Sequence, residues 1–370
     1  AYSVFAVDMD NDGDMDILSA SWNDNTIAWY ENNGAADPSW TMADVDVNNE
    51  DARFVIATDL DNDGDMDIVS AAGGGGVNWY ENTSTAGGIT AWNTTVISDA
   101  SNGASDVYAI DLDRDGDQDI IAASYSADAV VWWENDGAAT PSFTGNNITT
   151  SADGVRSVFA ADMDNDGDID VLSSSASDNT IAWYENNGAA DPSWTAANIA
   201  TNLYSGQEES SVFAADMDND GDMDIVSASN NPVSPSSQSV ISWYENNGAA
   251  DPSWTAANIA TNAYGVSSVF AADMDNDGDV DLLSASWNDN TIAWYENNGA
   301  ADPSWTAADI ATSADYALSV YAADLDNDGD MDIVSASSND DAISWYENNG
   351  AADPSWTAAD VSTSADGARS

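Results

Sequence analysis

The 370-residue chain has no cysteine, no histidine and no lysine, and its only basic residues are four arginines, Arg53, Arg114, Arg156 and Arg369. Without cysteine there is neither a disulfide framework nor a thiol nucleophile. Without histidine or lysine, any catalysis would rest on Asp, Glu, Tyr or Arg. With 67 acidic residues the formal charge is −63, which excludes nucleic acid and anionic membrane as electrostatic partners and leaves cations as the natural ones. No run is long enough for a membrane span, so no membrane insertion is expected, and no segment keeps a helical period over useful length. The opening AYSVFAVD lacks the basic and apolar regions of a signal peptide, so an exported protein would be represented here by its mature part.

Charge this one-sided usually keeps a chain unfolded, yet 16 Trp, 13 Tyr and 43% apolar content supply a core. The acids must therefore be organised. The nonapeptide DMDNDGDMD begins at Asp8, and relatives begin at Asp59, Asp111, Asp162, Asp216, Asp273 and Asp324, at spacings of 51, 52, 51, 54, 57 and 51. Seven copies tile the chain. The tail Ala368-Arg369-Ser370 matches the residues preceding the first strand of the fourth repeat, as though an eighth repeat followed and the chain were an excerpt of a longer one.

Each repeat reads as four short strands. In the first they are Ser3 to Val7, Asp16 to Ala20, Thr26 to Glu31 and Trp40 to Val45, rich in β-branched and aromatic residues and separated by Gly, Asn, Asp and Pro. Four strands in about fifty residues make a propeller blade, and the inner strands are apolar almost throughout because stacked blades cover both faces. The expected fold is an all-β, seven-bladed propeller with four antiparallel strands per blade, one domain over 1–370. Its blades run over about 1–50, 51–103, 104–154, 155–208, 209–265, 266–316 and 317–370. The competing architecture is an open solenoid or β-helix, whose repeats are normally shorter.

The loop between first and second strands carries the chemistry. Acids occupy positions 1, 3, 5, 7 and 9 of each nonapeptide. They are Asp8, Asp10, Asp12, Asp14 and Asp16 in the first repeat, and Asp59, Asp61, Asp63, Asp65 and Asp67 in the second. Asp111, Asp113, Asp115, Asp117 and Asp119 follow, then Asp162, Asp164, Asp166, Asp168 and Asp170, then Asp216, Asp218, Asp220, Asp222 and Asp224. The last two sets are Asp273, Asp275, Asp277, Asp279 and Asp281, and Asp324, Asp326, Asp328, Asp330 and Asp332. Together they are 35 of the 67 acids. Calcium takes roughly six to eight oxygens, and alternate residues of a tight turn can aim inward at one centre. Positions 1, 3 and 5 offer side-chain oxygens, glycine at position 6 allows the sharp turn, position 7 offers its carbonyl and position 9 a carboxylate. An EF-hand closes with an acid at position 12; here that place holds Ser19, Ser70 or Ala122. So many carboxylates in one turn repel one another, so the metal-free loops are expected to loosen, and about seven Ca²⁺, one per blade, to act as folding ligands. Seven such ions would bring the charge from −63 to −49, still acidic enough to suit a saline, calcium-rich extracellular or cell-surface setting.

The motif DxDxDGxxD, repeated as DMDNDGDMDI, DLDNDGDMDI and DLDRDGDQDI, resembles the FG-GAP or VCBS-type repeat of the integrin α-subunit propeller and its bacterial relatives. The resemblance covers essentially the whole chain. It implies a seven-bladed propeller with calcium between the innermost and second strands of each blade, liganded from positions 1, 3, 5, 7 and 9. The FG and GAP words are replaced by WYENNGAADPSW, so the resemblance carries the blade and not an integrin-type partner.

In a four-stranded meander the acidic loops and the third-to-fourth turns share one face. The second-to-third loops on the other face vary, from SWNDN at Ser21 to the long NNPVSPSSQS at Asn230. A glycan or protein ligand is expected on that variable face, with Trp22, Tyr125 and Trp287 as aromatic anchors, against the plainer reading that nothing constrains those loops. The recurring Trp29-Tyr30-Glu31 word is read as blade packing in preference to a sugar subsite. Sequons stand at Asn82, Asn93 and Asn147. The function favoured is a non-catalytic adhesion, binding or surface-assembly module, able to associate into arrays or fibres; a lectin is the alternative and a polysaccharide-degrading enzyme the least favoured. Glu50, Glu208 and Glu209 are the irregular acids without an obvious companion.

Overall fold

A computed structural model describes residues 1–83, 91–99, 103–201, 211–230 and 238–365. Seven separate four-stranded antiparallel sheets follow one another along the chain, each built from consecutive strands. In the first, Ser3–Val7, Asp16–Ser21, Thr26–Asn32 and Trp40–Asp46 pair in sequence order, with Phe5 opposite Leu18 and Leu18 opposite Trp29. The innermost strands of the other blades are Ala52–Thr58, Ala104–Ile110, Val155–Ala161, Ser211–Ala215, Val266–Ala272 and Ala317–Ala323.

Second strands are buried along their whole length, for example Asp16–Ser21 and Asp332–Ser337, because a neighbouring blade covers each face. Fourth strands are exposed over most of theirs. The core is accordingly a series of inter-blade clusters. One joins Val4, Ile17 and Tyr30 of the first blade to Leu325, Val334 and Trp345 of the last. That cluster closes the ring and excludes the open solenoid. Among the described residues no strand is exchanged between first and last blades, and closure there rests on side chains. Among them, Val4 N–H donates to Ser319 Oγ at 3.3 Å and Ser21 Oγ donates to the Ala365 carbonyl at 2.6 Å.

The inner strands surround a channel. At its waist Phe5, Tyr108, Phe159, Phe213, Phe270 and Tyr321 form an aromatic belt whose successive centroids lie 4.5–5.4 Å apart, within the range of favourable ring contacts. Ile56 takes the remaining place in the alignment of inner strands. Above the belt, Ser157 Oγ accepts from Val212 N–H and Ser268 Oγ from Val320 N–H, so the inner edges of the fifth and seventh blades are satisfied by the preceding blade. Asp106 takes this role in the third blade. Its oxygens accept from Val107 N–H and Val158 N–H, both at 2.9 Å, and burial pushes its carboxyl up to about 7.

Candidate metal centre

Each acidic loop leaves the inner strand and re-enters the second strand within nine residues, and its backbone is held by its own carboxylates. Asp8 accepts from Asp12 N–H through one oxygen and from Gly13 N–H through the other, both at 3.0 Å, while Asp12 accepts from Asp14 N–H at 3.0 Å. The sixth and seventh loops repeat this clamp at Asp273 and Asp324. Gly13 has φ +97° and open space where a Cβ would lie, so backbone conformation alone requires glycine there.

Positions 1, 3 and 5 converge. In Asp8, Asp10 and Asp12 one carboxylate oxygen from each lies within 4.8 Å of the others, and the same holds at Asp59, Asp61 and Asp63 and at the matching trios beginning Asp111, Asp162 and Asp216. Asp10 Oδ1, Asp111 Oδ1 and Asp162 Oδ1 are buried with no hydrogen-bond partner. An orphaned carboxylate oxygen in a purely oxygen donor set fits a hard divalent cation such as calcium and no softer metal. Burial, followed by repulsion from Asp12, raises the carboxyl of Asp10; Asp61 is pushed up to about 6 by burial and by Asp63.

Position 9 lies beneath the trio and is essentially inaccessible, with Asp16 1% exposed. Asp16 Oδ1 accepts from Asn32 N–H at 2.7 Å; Oδ2 accepts from Met9 N–H at 3.2 Å and from the Trp29 indole N–H at 2.9 Å. These three bonds tie loop, third strand and second strand together. Despite them, burial pushes the Asp16 carboxyl up to about 7, and the same occurs at Asp67, Asp119, Asp170, Asp224, Asp281 and Asp332. Asp16 Oδ2 already accepts two bonds, so the oxygen that keeps lone-pair capacity for a metal is Oδ1, which accepts one.

Position 7 turns sideways, and the contact it makes was not anticipated from the sequence. Asp14 Oδ1 accepts from Asn327 Nδ2, the position-4 residue of the preceding loop around the ring, at 2.8 Å. Asn62 reaches Asp117, Asn165 reaches Asp222, Asn219 reaches Asp279 and Asn276 reaches Asp330 in the same way, at 2.6–2.8 Å. Arg114 replaces asparagine in the third loop and pairs with Asp168 at 2.7 Å; Asn11 instead meets the Gly64 carbonyl at 3.3 Å. The seven loops are thus linked into a continuous circle. The other oxygen of Asp14 packs on Gly34, where a Cβ would overlap it, which explains the glycine of the recurring NNG turn.

A second circle runs below the first. Asn32 Nδ2 donates to the Met15 carbonyl at 3.0 Å and to the Leu325 carbonyl of the neighbouring loop at 2.8 Å, while Asn32 Oδ1 accepts from Gly34 N–H at 3.1 Å. Asn135, Asn186, Asn246, Asn297 and Asn348 reach across blades to Leu60, Leu112, Met163, Met217 and Met274. Those position-2 side chains are buried plugs between blades. The loop thus alternates acid toward the centre and apolar toward the core, a pattern readable in the sequence as D-(M/L)-D.

The Trp-Tyr-Glu word packs: Trp29 and Tyr30 are buried, and the equivalent Tyr184 and Tyr295 hydroxyls meet Ser173 and Ser284. Asn82 is buried, which removes it as a glycan acceptor in the folded chain, whereas Asn93 and Asn147 are exposed. Glu208, Glu209 and most of the loop from Asn230 to Ser239 lie outside the described residues. On the opposite face a cavity of about 640 Å³ opens at the channel mouth, lined by Trp22 and Tyr125, and also by Arg53 and Arg156. Trp287 instead packs against Tyr316, with centroids 5.2 Å apart.

Fold and loops together define a closed seven-bladed propeller carrying one acidic hairpin loop per blade. Sequence comparison agrees: the FG-GAP-like repeat matches residues 8–70, 59–122, 111–173, 162–227, 228–284, 273–335 and 324–370. The chain belongs to the FG-GAP-like repeat family. No curated protein matches its sequence. Among solved structures it is similar to BBS1N, crystallised in complex with ARL6DN, with a TM-score of 0.58 and 11% identity over 91% of this chain and 90% of that one. It is also similar to a chain from Bacteroides uniformis described as a 6-phosphogluconolactonase, with a TM-score of 0.58 and 13% identity over 84% and 86%. At such identities the likeness concerns the fold alone.

Proposed function

We propose that the chain is a non-catalytic, calcium-stabilised extracellular module, holding about seven Ca²⁺ in its loops and binding a glycan or protein ligand on the opposite face for adhesion or surface assembly. One observation carries the calcium reading. The same oxygen trio stands with the same buried carboxylate in blade after blade, and in three of the loops one of its oxygens, on Asp10, Asp111 or Asp162, is buried without a partner. Positions 1, 3 and 5 would hold the ion with position 9 below. When bound, calcium supplies the missing countercharge; the chain's own residues hold the loop, and through the two circles they transmit its order to the neighbouring blades. The non-catalytic reading is supported by repetition, since an acid that recurs in every blade serves the blade. Asp106, the exceptional buried acid of the inner strands, has both oxygens committed to backbone N–H groups. Weak sites of this kind suit calcium in the roughly millimolar range found outside cells.

Limited proteolysis tests this. In millimolar calcium the chain should resist cleavage, and after chelation it should be cut in the acidic loops. Magnesium at equal concentration should protect less, because it resists dehydration. Indifference of the cleavage pattern to all three conditions would refute the proposal.

A further inference from the structure

In a chain with four cationic residues against 67 acids, two of the four line one cavity. Arg53 projects from the innermost strand of the second blade and Arg156 from the equivalent place in the fourth, at the channel mouth opposite the acidic loops. Each is held by an aromatic ring from the preceding blade. The Arg53 guanidinium lies 5.8 Å from the Trp22 ring centroid, and that of Arg156 lies 3.8 Å from that of Tyr125. Trp22 is itself fixed, its indole N–H donating to Asp51 at 2.7 Å and its ring meeting Tyr2 edge-on. Arg53 Nε is buried with no hydrogen-bond partner. A guanidinium oriented on a ring is a preformed fork for a planar or tetrahedral oxyanion.

The rest of the cavity is not what a bare anion needs. Trp22 and Tyr125 remain 45% and 37% exposed, and Asn23 and Asn339 add amide groups to the lining. One carboxylate, Asp341, also lines it. Two cations, exposed ring surface and neutral polar groups in about 640 Å³ match a ligand with an anionic group, hydroxyls and one apolar face. We propose that this cavity binds an acidic sugar residue, uronic or sulfated, of a glycan, with Arg53 and Arg156 taking the anionic group and Trp22 and Tyr125 flanking the ring. The inference rests on the reading of this face as the ligand-binding one, and it names the ligand class.

The test is calorimetric titration of the full calcium-loaded chain with a galacturonic acid trisaccharide, a sulfated galactose trisaccharide, their neutral galactose counterpart and tri-glutamate, at an ionic strength that screens the chain's net charge. At least one acidic sugar should bind roughly tenfold or more tightly than the neutral one, and Arg53→Gln or Arg156→Gln should each weaken it by roughly tenfold, with the melting midpoint retained. Should either glutamine variant misfold, Arg53→Lys keeps the charge and stem but loses the fork, and should still weaken binding several-fold. Failure of both acidic sugars to bind, or equal binding of acidic and neutral sugars, overturns the inference. Tighter binding of tri-glutamate overturns the sugar class. A neutral sugar that depends on Trp22 but on neither arginine overturns the inference and leaves the binding-face reading standing. Acidic-sugar binding that ignores all four side chains overturns both.

Discussion

Replacing Asn32 by alanine removes a buried side chain that holds the first blade to the last. Three side-chain bonds disappear, to the Met15 and Leu325 carbonyls and from Gly34 N–H. Each hydrogen bond is worth about 1 kcal/mol net, and a buried partner left unsatisfied costs about 1–3 kcal/mol, so a loss of about 3 kcal/mol is expected. Unfolding entropy is about 2.1 cal/mol/K per residue, which for 370 residues converts that loss into a fall of about 4 °C in melting midpoint. Calcium-saturated melting, monitored by tryptophan fluorescence, reads the shift directly. Thr41→Ala, on the exposed outermost strand, is the control and should leave the midpoint in place. Since closure uses the same bond as five other blade boundaries, Asn246→Ala, which removes a cross-blade bond of the same 2.8 Å, should cost as much as Asn32→Ala. A shift below about 1 °C for both would refute the idea that this circle of asparagines clamps the ring.

Other expectations follow from the loops. The position-9 carboxyls stand at about 7 in the metal-free fold against an ordinary 3.8, so the folded chain binds these protons more tightly than the unfolded one. Their protonation stabilises the fold fully below about pH 4, and this contribution is lost as pH rises through about 7; each site is worth at most roughly 4 kcal/mol. Chelated protein should therefore melt lower at about pH 8 than at about pH 5, and saturating calcium should flatten the trend; a chelated midpoint that rises with pH contradicts this. Gly34→Ala should weaken both fold and calcium affinity because its Cβ would displace the Asp14 carboxylate, whereas Gly13→Ala should incur only the backbone cost of about 1–2 kcal/mol; equal effects in urea unfolding would contradict the distinction.

Much of this was legible in the sequence because it repeats. The seven nonapeptides mark the blades, and the first strand, Ser3–Val7, falls where residue preference places it. The strand following the loop extends one residue beyond the expected Ala20 to Ser21, and the third ends at Asn32, one residue past the expected Glu31. That residue matters, since Asn32 is the clamp. The two circles were not legible, because Asn327 and Asp14 are 313 residues apart and meet only once the ring closes. Nor was the pairing of Arg53 with Trp22 or of Arg156 with Tyr125, which depends on loops of one blade overhanging the inner strand of the next.

In the proposed function, divalent calcium in the acidic loops supplies the charge that holds the ring together. Equilibrium dialysis against calcium, followed by elemental analysis and melting of the same sample, tests it most directly. About seven ions per chain are expected, lost on chelation together with a marked fall in midpoint at constant ionic strength. A chain that retains no calcium after dialysis, or that melts at the same temperature with and without chelator, would contradict it.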